Sequence, residues 1–231
     1  MSLFKRLFST LTDSSNPVSE PAKPIAPTET KVEVNEPTAT ESTSVITQYQ
    51  GEIHSGTRLM VSDGQFLIAL KDGNIVDVLA PGVYMINEQN ISNFASSSLY
   101  YISTLESETI KWGTIKPINF TDSNYGNLSL RAMGTFSYII CDPVKFIMDY
   151  LNAGEGISAD EYIKNLVINA VQQVVYQNNG TSYTRLPMAV TNTAIKDQLA
   201  TTGINFTVRV QMVNLTEESQ NKIKTAMNNL I

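Results

Sequence analysis

The sequence predicts an α+β fold, with a β-rich first half of antiparallel strands followed by helices, one further strand and a last helix. Three observations predict it. A run from Leu128 to Ile140 alternates apolar and other residues with a period of two over thirteen positions. Before it, "GQFLIALKDGNIVDVLAPGVYMI" carries two turn signatures inside a nearly unbroken apolar stretch. After it, "SADEYIKNLVINAVQQVVYQNNG" places apolar residues at helical spacing.

Taken in order, Asp72-Gly73 supplies the positive φ angles of a type I′ hairpin, so Phe66 to Lys71 should pair with Asn74 to Leu79. Phe66, Ile68 and Leu70 fall on one face and Leu67 and Ala69 on the other, which predicts a hairpin covered on both sides. Pro81-Gly82 fits a type II turn, after which Val83 to Ile86 takes a new direction. "LYYISTLESETIKWGTIKPINF" reads as two β-prone runs. In the long strand Leu128, Leu130, Ala132, Gly134, Phe136, Tyr138 and Ile140 share one face. Asp142-Pro143 then supplies a helix cap and a first-turn proline. The helix from Val144 to about Leu151 should bury Phe146, Ile147, Tyr150 and Leu151.

Ser158 and Glu161 stand at capping-box spacing, and the helix they open closes at Gly180. One further helix is expected from Pro187, with Ala194, Ile195 and Leu199 inward and Gly203 as its stop. "INFTVRVQMV" alternates again, Ile204, Phe206, Val208, Val210 and Met212 inward. A last helix begins near Thr216 and carries Ile223, Met227 and Leu230.

The first 48 residues read differently. Residues 13 to 44 hold five of the nine prolines, six acids, two lysines and no aromatic residue. Such a composition cannot bury enough apolar surface to offset its ordering entropy. The expected organisation is an amphipathic helix over 1–12, a disordered acidic linker over 13–48 and a single domain over 49–231. In "SLFKRLFSTL", Leu3, Phe4, Leu7, Phe8 and Leu11 form one helical stripe with Lys5 and Arg6 beside it. So short a helix is unstable alone in water. Its stripe must meet a membrane interface, a partner's groove or its own domain, and these residues are the candidate docking site.

A net charge of −6 and a pI near 4.8, with no Lys/Arg cluster, exclude a nucleic-acid binder. The single cysteine, Cys141, excludes an internal disulfide and a thiolate metal site, which fits a reducing cytoplasm. No apolar run reaches the roughly 18 residues of a membrane span, and the N-terminus lacks the pattern of a signal peptide. His54 is the only histidine, so a catalytic triad or a histidine metal site would have to be built around it, and its neighbours "GEIHSGTR" give no H-x-x-E-H or H-E-x-x-H spacing. His54 reads as solvent-facing or structural, Cys141 as a small buried hydrophobe and Trp112 as a cap on the core. No cofactor, metal or small-molecule substrate is expected, and no enzyme.

Four stretches in order resemble the SPFH or Band 7 domain of stomatins, prohibitins and flotillins. They are "VSDGQFLIALKDGNIVDVLAPGVYMI", "GTFSYIICDPVKFI", the set Trp112-Gly113-Thr114 with Pro117-Ile118-Asn119-Phe120 and Asp122, and "TTGINFTVRVQMVNLTEESQNKI". The third set is similar to a bacterial branch labelled "virion core protein-like". The resemblance covers about residues 49 to 229. It implies a non-catalytic scaffold that assembles at membranes or recruits partners. Typical members continue into a long coiled coil, and members of the closer branch often carry a zinc ribbon. This chain shows neither, so a small or weak homo-oligomer is expected. The resulting expectation is a cytoplasmic, self-associating scaffold tethered through residues 2 to 11 to a membrane surface, peripherally on its inner face, or to a larger assembly. The alternative is a shell-docked component of a phage or virus-like particle.

Overall fold

The computed structural model describes residues 44–154 and 156–229. The first half is built from β1 (Ile46–Gln48), β2 (Arg58–Val61), β3 (Gln65–Lys71), β4 (Asn74–Leu79), β5 (Gly82–Met85), α1 (Ile91–Phe94) and β6 (Ser98–Ser103). Four of these strands form one antiparallel sheet in the order β1-β6-β3-β4, while β2 and β5 pair apart. The Asp-Gly hairpin forms as expected. Asp72 and Gly73 have φ of 52° and 75°, and Lys71 faces Asn74 across the turn. Both faces of β3 are covered, and by different cores. Ile68 and Leu70 join the main core, whereas Leu67 and Ala69 join a smaller one with Leu59, Ile86, Phe94 and Leu99. The central strand therefore acts as a wall between two apolar clusters.

Two details of this half differ from expectation. Gly82 adopts φ 156° rather than the roughly +80° of a type II turn, because it already belongs to β5 and must reach β2, not fold back on β4. β1 lies at Ile46–Gln48, inside the span read as linker, and pairs with β6 through Ile46 opposite Ile102. The first ordered strand thus precedes Tyr49. Its alternation was too short to register in composition.

The second half follows as β7 (Ile110–Gly113), β8 (Ile118–Asp122), β9 (Gly126–Ile140), α2 (Pro143–Asn152), α3 (Ala159–Gln177), a 3₁₀ turn at Tyr183–Arg185, α4 (Leu186–Ala189), α5 (Asn192–Leu199), β10 (Ile204–Leu215) and α6 (Glu217–Asn228). The stretch from Leu99 to Phe120, read as two β-prone runs, holds three strands, β6, β7 and β8. β9 organises this half: β10 lies along one edge, and β7 and β8 share the other. Its seven expected inward residues are all buried. Against that face α3 lays Ile163, Val167, Ala170, Val171, Val174 and Val175. Phe136, Tyr138 and Phe206 meet at ring separations of 6.1 to 6.3 Å.

The helix starts read at Asp142 and Ser158 are capped by those side chains, and the start read near Thr216 proves to be capped as well. The Asp142 carboxylate accepts from Lys145 N–H at 2.9 Å, Ser158 Oγ from Glu161 N–H at 3.2 Å and Thr216 Oγ1 from Ser219 N–H at 3.4 Å. Each satisfies a donor the helix cannot. Helix interiors and ends were less legible. The single helix expected from Pro187 is two, because Val190 leaves the helical region at ψ 70° and the Thr191 hydroxyl caps a new start by accepting from Ala194 N–H. Leu151, expected inside, is 41% exposed where α2 runs out past the core. Met227 is 54% exposed, since α6 is tied to β9 only along its first half, by Ser219 and Lys222. Leu230 lies outside the described residues.

β10 carries the most consequential departure. Its register against β9 shifts between Val210 and Met212, so Gln211 is an extra residue and Met212 stands opposite outward-facing Met133. A one-residue insertion turns every later side chain to the other face. Met212 therefore points away from the core, and Val213 and Leu215 point toward it opposite Ala132 and Leu130.

Burial, with the negative charge of Asp160 beside it, pushes the Tyr138 phenol up to about 12 from its ordinary 10.0. Tyr101 and Tyr162 are raised as well, each chiefly by burial. A group whose folded value is raised holds its proton longer in the native state, so stability is fully present below about pH 10 and falls as pH rises toward 12. Urea midpoints measured from pH 9 to 12 should fall through that window, and Tyr138→Phe should shrink the fall. A flat profile in the parent would contradict the burial of these phenols.

Candidate functional site

The residues expected to dock, Leu3, Phe4, Lys5, Arg6, Leu7, Phe8 and Leu11, lie outside the described residues. Within the described domain, the motif residues can be followed one by one. Trp112 is buried on β7 and its ring covers Gly134 of β9, where an added Cβ would stand 3.0 Å from Trp112 Cε2. Its indole Nε1 has no hydrogen-bond partner. Two residues on, Thr114 N–H donates to the Ala132 carbonyl at 3.0 Å and Thr114 Oγ1 accepts from Ala132 N–H at 3.1 Å. The hydroxyl so replaces a backbone carbonyl and extends the ladder by one rung. Ile118 and Phe120 fill the core beneath β8.

Asp122 is the most heavily used polar side chain in the set. It is 3% exposed, and its Oδ1 accepts from Asn124 N–H at 2.7 Å and Tyr125 N–H at 2.8 Å, closing the β8–β9 turn. Its Oδ2 accepts from Tyr183 N–H at 2.5 Å, sixty-one residues away, at the 3₁₀ turn. One carboxylate thus fastens a hairpin to the segment that follows α3. Tyr125 and Tyr183 meet edge-on above it at 6.1 Å.

His54 is exposed, with Nδ1 3.1 Å from the Ser55 carbonyl. Cys141 differs from expectation: it is exposed, not buried, because it follows the last core residue of β9 and falls on the outward side of the strand. It borders a groove of 350 Å³ between α5 and the start of β10, with Lys196, Asp197 and Asn205. Another, of 460 Å³, lies on the outer sheet face among Arg131, Asn214, Glu217 and Glu218. Among the described residues no group of three or more His, Cys, Asp or Glu side chains is placed to hold a metal ion. No described helix is long and apolar enough to cross a membrane.

A feature the sequence reading missed is the outer face of the β2–β5 pair. Leu59 and Val61 point inward, which leaves Met60, Val83 and Met85 exposed at 43%, 55% and 57%. Arg58 lies opposite Met85 on the same face. The signal was present in the alternation of "RLMV" and "GVYM", but apolar residues on both faces hid which side would be covered.

These motif side chains pack, cap turns and complete ladders, and so define an α+β module whose distinctive residues build its architecture. The chain belongs to the SPFH domain–Band 7 family, which it matches over residues 45–230. Members of that family are generally non-enzymatic scaffolds that oligomerise and associate with membranes. The comparison with curated proteins gave no match.

Proposed function

We propose that this protein is a non-enzymatic Band 7 scaffold that self-associates and is tethered to a membrane surface or larger assembly by residues 2 to 11. The observation that carries the reading is the family match over nearly the whole described domain. Two features support it: the motif side chains are engaged in packing and turn closure, and the N-terminal stripe keeps five large apolar residues together beside Lys5 and Arg6. Within the family we place the chain nearest the bacterial "virion core protein-like" branch, on Trp112-Gly113-Thr114, Pro117 to Phe120 and Asp122. Attachment is peripheral, on the cytoplasmic side.

The energetics of the tether favour its apolar part. Fully burying a large apolar side chain stabilises by about 1.5 to 3 kcal/mol, whereas each cation near anionic headgroups adds about 1 kcal/mol. Ordering the segment offsets much of this gain. Single copies therefore attach weakly, and several copies in one assembly hold by avidity. In flotation with anionic vesicles, Phe4→Asp with Phe8→Asp should abolish binding. Lys5→Gln with Arg6→Gln should weaken binding and make it less salt-sensitive. A double aspartate variant that floats as well as the parent, or a parent that never floats, would end the membrane reading.

A further inference from the structure

We propose that the open edges of β2 and β5 are the self-association surface, β5 of one copy pairing with β2 of the next. This inference rests on the self-association in the reading above and supplies its contact surface.

Hydrogen-bond parity sets which backbone groups of the pair face outward. Ile86 N–H donates to the Thr57 carbonyl at 2.8 Å, which fixes the 57–86 pair as a hydrogen-bonded one. In an antiparallel ladder such pairs alternate, so Leu59 with Tyr84 and Val61 with Gly82 bond inward. The N–H and C=O groups of Arg58 and Met60 then point off one edge of the pair, and those of Val83 and Met85 off the other. Each edge presents unpaired backbone groups on residues whose side chains are also exposed. Such an edge is a template for another strand.

On three other edge strands some outward backbone groups are already taken. On β1 the Ile46 and Gln48 carbonyls accept from Ser44 Oγ and Gln50 Nε2. On β4 the Val78 N–H is taken by the Asp77 carboxylate, and on β10 the Val210 N–H by Asn192 Oδ1 at the start of α5. At the β2–β5 pair one group is taken: the Met85 carbonyl accepts from Asn90 Nδ2 at 3.3 Å. Val83 and Met60 keep both of theirs.

The occupant that fits is a second copy. Every chain offers one β2 edge and one β5 edge of four residues each, and the pairing already seen within the chain can repeat between chains. Val83 then faces Met60 of the next copy and Met85 faces its Arg58, so no like charges oppose one another. Strand direction is consistent, because a copy displaced across the strands, or rotated about an axis roughly along them, places its β2 antiparallel to β5, as within the chain. The inner face of the pair is packed on the smaller core, and a third strand flanks Met60, Val83 and Met85, apolar side chains that are otherwise wet. The contact is head-to-tail, closing into a ring or growing as a filament according to the rotation per step.

Complementation tests this directly. In sedimentation velocity on the full chain, Val83→Lys removes the β5 edge and Met60→Lys the β2 edge, each weakening association by about tenfold or more. An equimolar mixture of the two should recover a dimer, since one retains a sound β2 and the other a sound β5. Both positions are exposed, and unchanged far-ultraviolet circular dichroism confirms that each variant folds. Two outcomes overturn the proposal while leaving the scaffold reading intact: variants that associate like the parent, or a mixture that stays as dissociated as its components. A parent that remains monomeric at high micromolar concentration overturns both.

Discussion

Replacing Asp122 by alanine is expected to cost the domain about 3 kcal/mol or more of unfolding free energy, without change in the urea m-value. The buried carboxylate satisfies three backbone donors, from Asn124, Tyr125 and Tyr183. A buried donor left unsatisfied costs about 1 to 3 kcal/mol, and bonds to a charged acceptor are the stronger kind. The damage should spread, because the same side chain joins the β8–β9 turn to the segment after α3. Asp122→Asn is the informative companion. Its amide oxygen can still serve the turn, but its NH₂ meets the Tyr183 N–H donor to donor, so an intermediate loss is expected. Trp112, the only tryptophan, reports the transition by fluorescence. An alanine variant as stable as the parent would mean that Asp122 is present for something other than architecture.

Gly134→Ala should be comparably damaging, by about 3 kcal/mol, at the upper end of overpacking effects. Gly134 is not there for its φ. A Cβ at this position would collide with the Arg209 carbonyl of β10 and stand 3.0 Å from the Trp112 ring. The first obstacle is backbone, fixed by the β9–β10 ladder, and cannot rotate away. Trp112→Leu should relieve the second contact only, so the double variant should recover little. Full recovery would show that the indole, not the carbonyl, sets the requirement. The β10 register shift follows directly after Val210, the residue paired with Gly134.

These variants separate what was readable from what was not. The motif Trp112-Gly113-Thr114 with Asp122 could be recognised as a pattern, yet its reason could not. Thr114 serves Ala132, and Asp122 serves Tyr183, across gaps that no local period spans. The candidate docking stripe at Leu3, Phe4, Leu7, Phe8 and Leu11 rests on helical spacing alone and lies outside the described residues, so vesicle binding is its test. The open β2–β5 edges were not legible, because an edge is defined by the strand that fails to arrive.

The sequence by itself determined the β-rich half followed by helices, the Asp72-Gly73 hairpin, the caps at Asp142 and Ser158, the helix start near Thr216, and the buried face of β9. Each of these depends on residues within a few positions of one another, where backbone sterics and local hydrogen bonds decide. Only the tertiary structure decided that Gln211 bulges and turns Met212 outward, that Thr191 restarts a helix after Val190, and that Cys141, Leu151 and Met227 are exposed. Periodicity states which residues share a face. How far that face stays covered depends on where the neighbouring element ends, and the neighbour is distant in sequence.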